Sequence, residues 1–382
     1  MNNNATVLVI AALPESLINF RYHLLQAMVA RGHTVIACAA ARDALSAVES
    51  AEVREKLARI GVAYQPIPLE RTGVNPLRDL RTFAAIFALC RRLKPDVLFC
   101  YTAKPVIYGS LAGSLAGVPA IHSMITGLGF GVTTASSLTG FATSMVRTLY
   151  RSALAKNRTA IFHNPDDRDG MISAGLLSPR TTPVIVNGSG VDVAHFTPAP
   201  LPREPITFLL IARLLGEKGV REYARAAELV KARYPQTRCV LVGPLDPHPD
   251  AIQEQEVRAW EAAGSIHWAG PVSDVRAYLR EASVYVLPSH HEGTPRTVLE
   301  AMAMGRPIIT TDAPGCRETV IDGDNGLLVP VQDAEALAHA MERFLAEPAL
   351  LERMGQRSRR LAEEKYDVHR VNEAMLRAMG LS

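Results

Sequence analysis

The chain has 382 residues, of which 48% are hydrophobic and 21% charged, and its net charge is +3. That length predicts two domains, and the composition is that of a globular protein with an ample core. Residues 1–197 hold 19 Lys and Arg against 12 Asp and Glu, a net charge of +7, and the remainder carries −4. A basic first half favours an anionic partner, such as a phosphorylated acceptor or a lipid surface. The lack of basic runs interleaved with aromatic residues argues against nucleic acid.

Cysteine usage and the start of the chain favour a cytosolic protein. The five cysteines are scattered without a C-x-x-C pair, which favours reduced thiols over disulfides or a metal site. Residues 5–13 are apolar but follow no positive charge, so they indicate a first buried strand rather than a signal peptide.

Short apolar runs alternate with helical patterns through the first half of the chain. This alternation predicts an α/β fold built on a doubly wound parallel sheet. The predicted strands cover residues 7–10, 34–37, 97–100, 120–125, 160–162 and 184–186, and the predicted helices between them cover residues 20–31, 76–92 and 106–116.

A proline-rich stretch at residues 196–205 indicates a linker, after which the alternation restarts. Residues 333–381 are almost wholly helical in pattern. We therefore expect a Rossmann-like domain at residues 1–200, a second at residues 201–365, and a C-terminal helix at residues 366–382 that packs on the first domain. The predicted strands of the second half cover residues 206–211, 238–242, 265–268, 284–287 and 307–310.

Residues 105–146 contain no Lys, Arg, Asp or Glu, and Arg147, Arg151, Lys156 and Arg158 follow them. Gly, Ser, Thr and Pro interrupt the run, which argues against a transmembrane helix. Two interpretations stay open: a buried strand and helix, or an apolar surface edged with cations that lies on an anionic membrane.

The clearest chemical signal is a pair of acids, Glu292 and Glu300, eight positions apart. A buried strand precedes Glu292, the dipeptide Gly293-Thr294 forms a turn, and Pro295 suits the first turn of a helix. The free N–H groups of such a helix favour an anion, and this junction of an open parallel sheet is where ligands bind.

Three other strand ends in the second half carry matching features. Arg213 and Lys218 lie on the loop that opens this half, where a guanidinium fork and an ammonium can neutralise a diphosphate. Gly243 follows the next strand and lets a ligand approach the backbone. Residues 269–274 mark another strand end, so the set predicts a nucleotide diphosphate site.

These residues carry a resemblance to a known family. The second half resembles the family 4 retaining glycosyltransferases of the GT-B fold, whose signature is the Glu292-x7-Glu300 element. The resemblance covers nearly the whole chain and implies two Rossmann-like domains that face each other across a cleft. Its further motifs are Arg213 with Lys218-Gly219, Val242-Gly243, Gly270-Pro271-Val272-Ser273-Asp274, Glu300-Ala301 with Gly305 and Pro307, and Asn325-Gly326-Leu327-Leu328-Val329.

The resemblance also implies roles for the residues of the site. Arg213 and Lys218 would stabilise the diphosphate leaving group, Glu292 would contact the transferred sugar, and Glu300 would hold the ribose hydroxyls. The backbone of Gly293, Thr294, Pro295 and Arg296 would add helix-dipole stabilisation, with Gly243, Pro271 and Val272 completing the nucleotide site. No metal and no cofactor are implied, the UDP-sugar being a co-substrate.

The first half contains the motifs Phe20-Arg21, Thr102-Ala103-Lys104-Pro105 and Thr126-Gly127-Leu128-Gly129-Phe130. In these motifs it resembles a narrower group, the CapM-like and PglA-like bacterial enzymes that extend sugars on polyprenyl-diphosphate carriers. That resemblance implies acceptor contacts at Asn19, Arg21, Lys104 and Gly127. Many relatives carry His immediately before the glycine at position 127, where this chain has Thr126, so Thr126 is the candidate polar group near the anomeric centre. We interpret His122, four residues earlier, as a satisfied core histidine.

The sequence thus predicts a retaining, metal-independent hexosyl- or N-acetylhexosaminyltransferase that uses a UDP-sugar and a polyprenyl-diphosphate-linked saccharide. It would work as a peripheral protein on the anionic cytoplasmic face of the membrane. Two alternatives stay open: a GT-B nucleotide-sugar 2-epimerase, which needs no acceptor, and a nucleotide-sugar-binding protein without enzymatic activity.

Overall fold

The computed structural model describes residues 4–41, 47–70, 75–126, 140–202 and 204–382, without the side chains of 47–50 and 140–143. The chain divides into two compact units. Unit 1 comprises residues 1–189 and 371–382, and unit 2 comprises residues 190–370. The expected boundary at residue 200 lies inside unit 2. Residues 190–200 belong to unit 2 because Arg306 and Arg359 bind their backbone carbonyls at Val193, Phe196, Ala199 and Pro200.

Unit 1 is built on a parallel sheet whose order, among the described residues, is β3-β2-β1-β4-β5-β6-β7. The predicted strands are confirmed, with ends shifted by up to three residues, and β3 was not predicted. The strands are β1 Thr6–Ile10, β2 Thr34–Ala40, β3 Ala63–Ile67, β4 Val97–Tyr101, β5 Ala120–Ile125, β6 Thr159–Phe162 and β7 Thr182–Ile185.

Helices cover both faces of this sheet, so its central strands are apolar on both sides. One core layer contains residues of α1, α2, α3 and α14. The other contains residues of α4, α5, α6 and α7. The helices are α1 Pro14–Asn19, α2 Tyr22–Ala30, α3 Ala47–Arg59, α4 Pro76–Leu93, α5 Ala103–Ala116, α6 Gly140–Leu154, α7 Pro165–Ser173 and, from the end of the chain, α14 Val368–Met379.

Local sequence explains where these helices begin and end. Asn75 caps α4 by accepting a hydrogen bond from the backbone N–H of Arg78, and Asn164 caps α7 in the same way. Within α14, Val371, Met375 and Leu376 lie in the core of unit 1, beside residues of β1 and β4.

Unit 2 repeats the topology of unit 1 in a shorter sheet. The described part of the chain gives the strand order β10-β9-β8-β11-β12-β13, again all parallel. The edge strand β13 was not predicted. The strands are β8 Thr207–Ile211, β9 Arg238–Val242, β10 His267–Trp268, β11 Val284–Leu287, β12 Ile308–Thr311 and β13 Gly326–Val329.

The helices of unit 2 pack around one continuous apolar core. Asp333 caps α12, which begins the helical end of the chain. These helices are α8 Val220–Arg233, α9 Glu254–Ala262, α10 Arg276–Glu281, α11 Arg296–Ala303, α12 Ala334–Ala346 and α13 Ala349–Leu361.

Both sheets have the arrangement expected of a doubly wound fold. In each, the chain moves outward from the first strand and then returns to its other side, so the switch point lies between β1 and β4 in unit 1 and between β8 and β11 in unit 2. Ligands of open parallel sheets bind at such switch points, beyond the carboxyl ends of the strands.

Two further expectations concern cysteines and membranes. All five cysteines are buried free thiols. The stretch without charged residues, 105–146, includes the buried strand β5 and parts of α5 and α6. Residues 127–139 of this stretch lie outside the described residues. Within the ranges that the structure describes, no helix has the length and apolarity needed to cross a bilayer.

Candidate functional site

The loops that follow β8 and β11 meet at the switch point of unit 2. Gly219 has a φ of 69° and ends a short 3₁₀ turn, Gly216–Lys218. A Cβ on Gly219 would stand 2.0 Å from the carbonyl oxygen of Pro288, which follows β11. Only glycine allows this approach, so the predicted Lys218-Gly219 pair sets the distance between the two loops.

Hydrogen bonds hold these loops together. The carbonyl of Glu217 accepts from the N–H of His290 at 2.9 Å and from the hydroxyl of Ser289 at 3.1 Å. The buried Tyr285 hydroxyl contacts the carbonyl of Ile211 at 3.1 Å and the hydroxyl of Thr297 at 2.6 Å. Tyr285 therefore ties the end of β8 to the first turn of α11. Sequence reasoning missed this role, although the one phenol in an otherwise apolar strand was a usable signal.

Lys218 and Glu292 form an ion pair inside this junction. The Lys218 ammonium donates to a Glu292 carboxylate oxygen at 2.7 Å, and the two side chains are 15% and 18% exposed. The Glu217 carboxylate lies 3.8 Å from the same ammonium. The structure thus brings together two of the predicted catalytic residues, from loops 74 positions apart.

Arg213 lies on the same loop as Lys218 and pairs with a different acid. Its guanidinium donates to Asp246 at 2.9 Å, and its side chain is 48% exposed. The pKa of Asp246 is lowered: its own desolvation acts in the opposite direction, and hydrogen bonds from the backbone of His248 and from Arg213 outweigh it. Asp246, on the loop after β9, was not predicted as part of the site.

Helix α11 begins as the sequence predicts. Pro295 occupies the N-cap position, and the left-handed Gly305, with a φ of 77°, follows the helix end. Thr294 precedes the helix, and its hydroxyl donates to the carbonyl of Gly293 at 2.9 Å. The Glu292 N–H donates to the carbonyl of Pro314 at 2.9 Å, so the loop after β12 also supports this turn.

Glu300 lies one turn further along α11 and is almost entirely buried. Its carboxylate accepts from Arg296 at 2.8 Å, an i,i+4 pair in which the Glu300 side chain is 7% exposed. Burial raises the pKa of Glu300, the Arg296 cation opposes that rise, and the nearby Asp274 carboxylate adds to it. Hydrogen bonds from Arg276 lower the pKa of Asp274 itself to about 2.

The predicted nucleotide-binding turns lie at the ends of β9 and β10. A Cβ on Gly243 would stand 1.8 Å from the carbonyl oxygen of Ala212, so this glycine serves the packing of two strand ends. This packing is a structural reason for Gly243, and its predicted role in ligand approach stays a prediction. The Gly243 carbonyl accepts from the Trp268 indole at 3.0 Å. Pro271 is exposed and Val272 half-buried.

The histidines beside this site do not form a metal cluster. His290 lies 3.2 Å from Glu222, on the first turn of α8, and His291 is the next residue. The described residues contain no group of three or more His, Cys, Asp or Glu side chains placed to hold a metal ion.

The switch point of unit 1 contains a buried cation. Arg21 is 2% exposed, and its guanidinium carbon lies 5.2 Å from the centre of the Tyr101 ring. It donates to the Ser189 hydroxyl at 3.1 Å and lies 2.6 Å from the sulfur of Met124. Its remaining hydrogen bond goes to the carbonyl of Phe20 at 3.2 Å, so no carboxylate within the described ranges pairs with it, and burial lowers its pKa to about 10.

Other polar groups at this edge include a strained residue that the sequence did not indicate. Thr102, directly after β4, has a φ of 70° and a ψ of 154°. Only glycine adopts this region without strain, and such outliers concentrate at functional sites. The neighbouring Tyr101 hydroxyl lies 2.9 Å from the Ser16 hydroxyl, and this contact joins the end of β4 to helix α1.

Two of the remaining acceptor candidates lie among the described residues. Lys104 pairs with Asp79 at 2.8 Å, and Asn19 is exposed at the end of α1. Thr126, the candidate catalytic group, is half-buried directly after β5, and the acceptor candidate Gly127 lies outside the described residues. These catalytic and acceptor roles therefore stay predictions.

His122 is a core residue, as expected, but it is not a satisfied one. It lies on β5 with 1% exposure, and burial lowers its pKa to about 4. Neither ring nitrogen has a hydrogen-bond partner among the described residues.

Comparisons with known proteins match both halves of the chain. Residues 194–361 match the family model described as glycosyl transferases group 1, and residues 19–188 match the glycosyl transferase 4-like domain. One relative is the N,N'-diacetylbacillosaminyl-diphospho-undecaprenol alpha-1,3-N-acetylgalactosaminyltransferase of Campylobacter jejuni. It is 26% identical over 313 residues, which cover 78% of this chain and 81% of that protein.

A second relative is the UDP-Gal:alpha-D-GlcNAc-diphosphoundecaprenol alpha-1,3-galactosyltransferase of Escherichia coli. It is 24% identical over 304 residues, which cover 74% of this chain and 75% of that protein. Among solved structures, Anabaena HepE in complex with UDP has a TM-score of 0.76 at 17% identity, covering 98% of this chain and 99% of its own. Sucrose-phosphate synthase of Thermosynechococcus elongatus has a TM-score of 0.78 at 20% identity, covering 98% of both chains. These two structures share the fold.

Proposed function

Because the chain belongs to the family 4 glycosyltransferases of the GT-B fold, we propose that it transfers a hexose or an N-acetylhexosamine from a UDP-sugar. The acceptor we propose is a saccharide linked to a polyprenyl diphosphate at the cytoplasmic face of the membrane. The main observation in support of this proposal is the Lys218–Glu292 ion pair. It lies at the switch point of the unit 2 sheet, which is where doubly wound sheets bind their ligands.

The positions of the charged groups support a division of roles around the donor. Lys218 and Arg213 extend from one loop toward carboxylates of two other loops, so a diphosphate can replace those carboxylates as their partner. Glu292 would then accept hydrogen bonds from the sugar hydroxyls. The buried Glu300 would accept from the ribose hydroxyls.

The proposed reaction exchanges one glycosidic bond for another. The bond between the anomeric carbon and the diphosphate oxygen breaks, and the electron pair leaves with UDP. The acceptor hydroxyl attacks from the same face and loses its proton to the departing phosphate, so the configuration is retained. Arg213 and Lys218 stabilise the charge that develops on the leaving group, which is the task a metal ion performs elsewhere, and we therefore propose metal-independent transfer.

The proposed acceptor is supported by the names of two relatives. Two relatives with comparable coverage are named as transferases that act on undecaprenyl-diphosphate-linked sugars. In unit 1, Arg21 is buried and has no carboxylate partner in the described part of the chain, so it is a fixed cation that suits a phosphorylated acceptor.

A screen of UDP-hexoses and UDP-N-acetylhexosamines tests the proposal. UDP release is measured for each donor with and without a short-chain polyprenyl-diphosphate saccharide. We expect release with one donor or a few, stimulated by the acceptor. Conversion of the donor to its 2-epimer without acceptor would favour the epimerase alternative. UDP binding with neither release nor conversion would favour the non-enzymatic alternative.

A further inference from the structure

Helix α4 in unit 1 has an exposed side that nothing described in this structure covers. Leu77 and Leu80, one turn apart at the start of the helix, are 81% and 63% exposed. The opposite side, which includes Thr82, Ile86 and Leu89, is buried against the sheet. Two adjacent leucines in water form a small apolar patch, and a patch rimmed by polar groups is typical of an interaction surface.

Two arginines lie within one turn of these leucines, and two more lie at the far end of the same helix. Arg78, Arg81, Arg91 and Arg92 are exposed on the same helix. Arg78 pairs with Glu70, whereas no carboxylate in the described ranges pairs with Arg81 or Arg91. Residues 75–158 contain ten Lys and Arg against two Asp and Glu, a net charge of +8. One of those two acids, Asp79, is already neutralised by Lys104.

The neighbouring helices extend this surface. Residues of α4, α5 and α6 share one core layer on the same face of the sheet, with α5 in the middle. On α6, Met145 is 38% exposed and Arg151 is exposed, and the helix contains no acid. The surface thus combines apolar side chains at its start with cations along its length.

We propose that this surface, formed by Leu77, Leu80, Met145 and the exposed arginines of α4 and α6, docks on an anionic phospholipid bilayer. The apolar side chains would enter the interface and the guanidinium groups would contact lipid phosphates. Charge complementarity selects the occupant, because a cationic helical surface centred on leucines fits a negatively charged bilayer. Nucleic acid is disfavoured, since leucines cannot bind phosphates and no exposed aromatic side chain is interleaved with these arginines for base stacking.

The position of the surface relative to the sheet indicates a role in acceptor delivery. This role rests on the proposed function. The helices α4, α5 and α6 all begin at the carboxyl ends of the strands that precede them. Leu77, Leu80 and Met145 therefore lie at the same sheet edge as Tyr101, Arg21 and the unit 1 switch point. A bilayer at this edge would present the head group of a lipid-linked acceptor to those residues.

Vesicle co-sedimentation tests the surface without any substrate. The full chain is mixed with vesicles of phosphatidylglycerol and phosphatidylcholine, or of phosphatidylcholine alone, at low and high salt. We expect binding to the anionic vesicles that weakens as salt increases. The double variants Leu77→Ser/Leu80→Ser and Arg81→Glu/Arg91→Glu should each lower the partition coefficient by about tenfold or more.

Ile321→Ser is the matched control. Ile321 is an aliphatic side chain that is 51% exposed and lies in unit 2, outside the helices that form this surface. This variant should bind as the parent does. The proposal is overturned if the parent chain does not bind anionic vesicles, or if the leucine and arginine variants bind as tightly as Ile321→Ser. Binding of a duplex oligonucleotide that is insensitive to the leucine substitutions, with no vesicle binding, would also overturn it.

Activity measurements separate this proposal from the proposed function. With a short-chain, water-soluble acceptor, Leu77→Ser/Leu80→Ser should turn over at the parental rate, whereas with an acceptor embedded in vesicles its rate should fall about tenfold. Absence of transfer by the parent to either acceptor would refute the proposed function, while vesicle binding would still be scored by sedimentation.

Discussion

The two units share one strand order but place different chemistry at their switch points. In unit 2, cations and carboxylates from separate loops pair across the junction, and Arg213 is about half exposed. In unit 1, the central cation, Arg21, is buried among a hydroxyl, a thioether and a phenol ring. A partly exposed ion pair can exchange its carboxylate for an incoming phosphate, whereas a buried cation stays in place whether or not a ligand is bound.

This difference shows why the proposed donor half is easier to interpret from sequence than the proposed acceptor half. The loops at the unit 2 switch point carry charged residues whose spacing is visible in the sequence, although Asp246, the partner of Arg213, was missed. The features at the unit 1 switch point are a buried arginine and a strained threonine, and neither differs in sequence from an ordinary structural residue.

The strongest test of the comparison is removal of the unit 2 ion pair. Lys218→Ala and Glu292→Ala should each reduce turnover by about a hundredfold or more, since each residue is proposed to act on charge that develops in the transition state. Steady-state rates at saturating donor measure this effect. Glu228→Ala, on an exposed surface pair of α8, is the control and should be neutral. Near-normal turnover of either site variant would refute the site assignment.

Replacement of Arg21 by Met separates a binding role from a structural one. We expect the KM for the acceptor to increase by about tenfold and the Kd for UDP to stay unchanged. The free energy of unfolding should stay the same or increase by about 1 kcal/mol, because the desolvation cost of a buried charge is removed. Substrate kinetics measure the acceptor KM, UDP titration measures the Kd, and denaturant unfolding measures the free energy of unfolding. A less stable variant with an unchanged acceptor KM would assign Arg21 to structure alone, and Arg21→Lys, which keeps the charge, should recover part of the affinity.

Glu300 predicts a pH dependence of donor binding. The ionised carboxylate is the form that accepts from ribose hydroxyls, and burial raises its pKa. As the pH falls through that raised pKa, the neutral form grows, so the affinity for UDP should fall by about tenfold for each pH unit below it. Titration calorimetry of UDP measures this profile. Glu300→Gln should bind more weakly at neutral pH and lack this acid limb, and an unchanged limb in that variant would exclude Glu300 as its origin.

Asp246 should have the smallest effect, and of the opposite sign. Its carboxylate is the resident partner of Arg213, so a diphosphate must compete with it. Asp246→Asn should therefore lower the Kd for UDP by up to about fivefold, the value of an exposed ion pair. Weaker UDP binding would mean instead that Asp246 orients Arg213 for the donor.

Much of the fold follows from the sequence because the central strands are uninterrupted apolar runs. The edge strands β3 and β13 were not predicted. Strand β3, Ala63–Ile67, mixes polar residues with Pro66. Strand β13, Gly326–Val329, begins with a glycine that the close approach of β12 requires. The boundary between the two units was misplaced for another reason. Arg306 and Arg359 hold residues 193–200 in unit 2 by donating to their backbone carbonyls, and no local sequence pattern predicts these contacts.

The candidate site could be predicted where the roles of its residues follow from their spacing along the sequence. The Lys218–Glu292 contact was anticipated as two roles in one site, and the structure shows the two side chains paired. Tyr285 and Asp246 were missed because their importance depends on which loops become neighbours in space. The strain at Thr102 was invisible for a related reason: backbone dihedral angles are imposed by the packing around a residue, and threonine gives no hint of a glycine-like conformation.

We propose that the unit 2 switch point supports transfer of a sugar from UDP to a lipid-linked acceptor. The most direct measurement is the mass of a short-chain polyprenyl-diphosphate saccharide after incubation with a UDP-sugar and either the parent chain or Lys218→Ala. We predict that the parent adds one hexosyl or N-acetylhexosaminyl unit and that the variant leaves the acceptor almost unmodified in the same time. An unchanged acceptor mass with the parent across the donor panel, or equal transfer by the two proteins, would contradict the account.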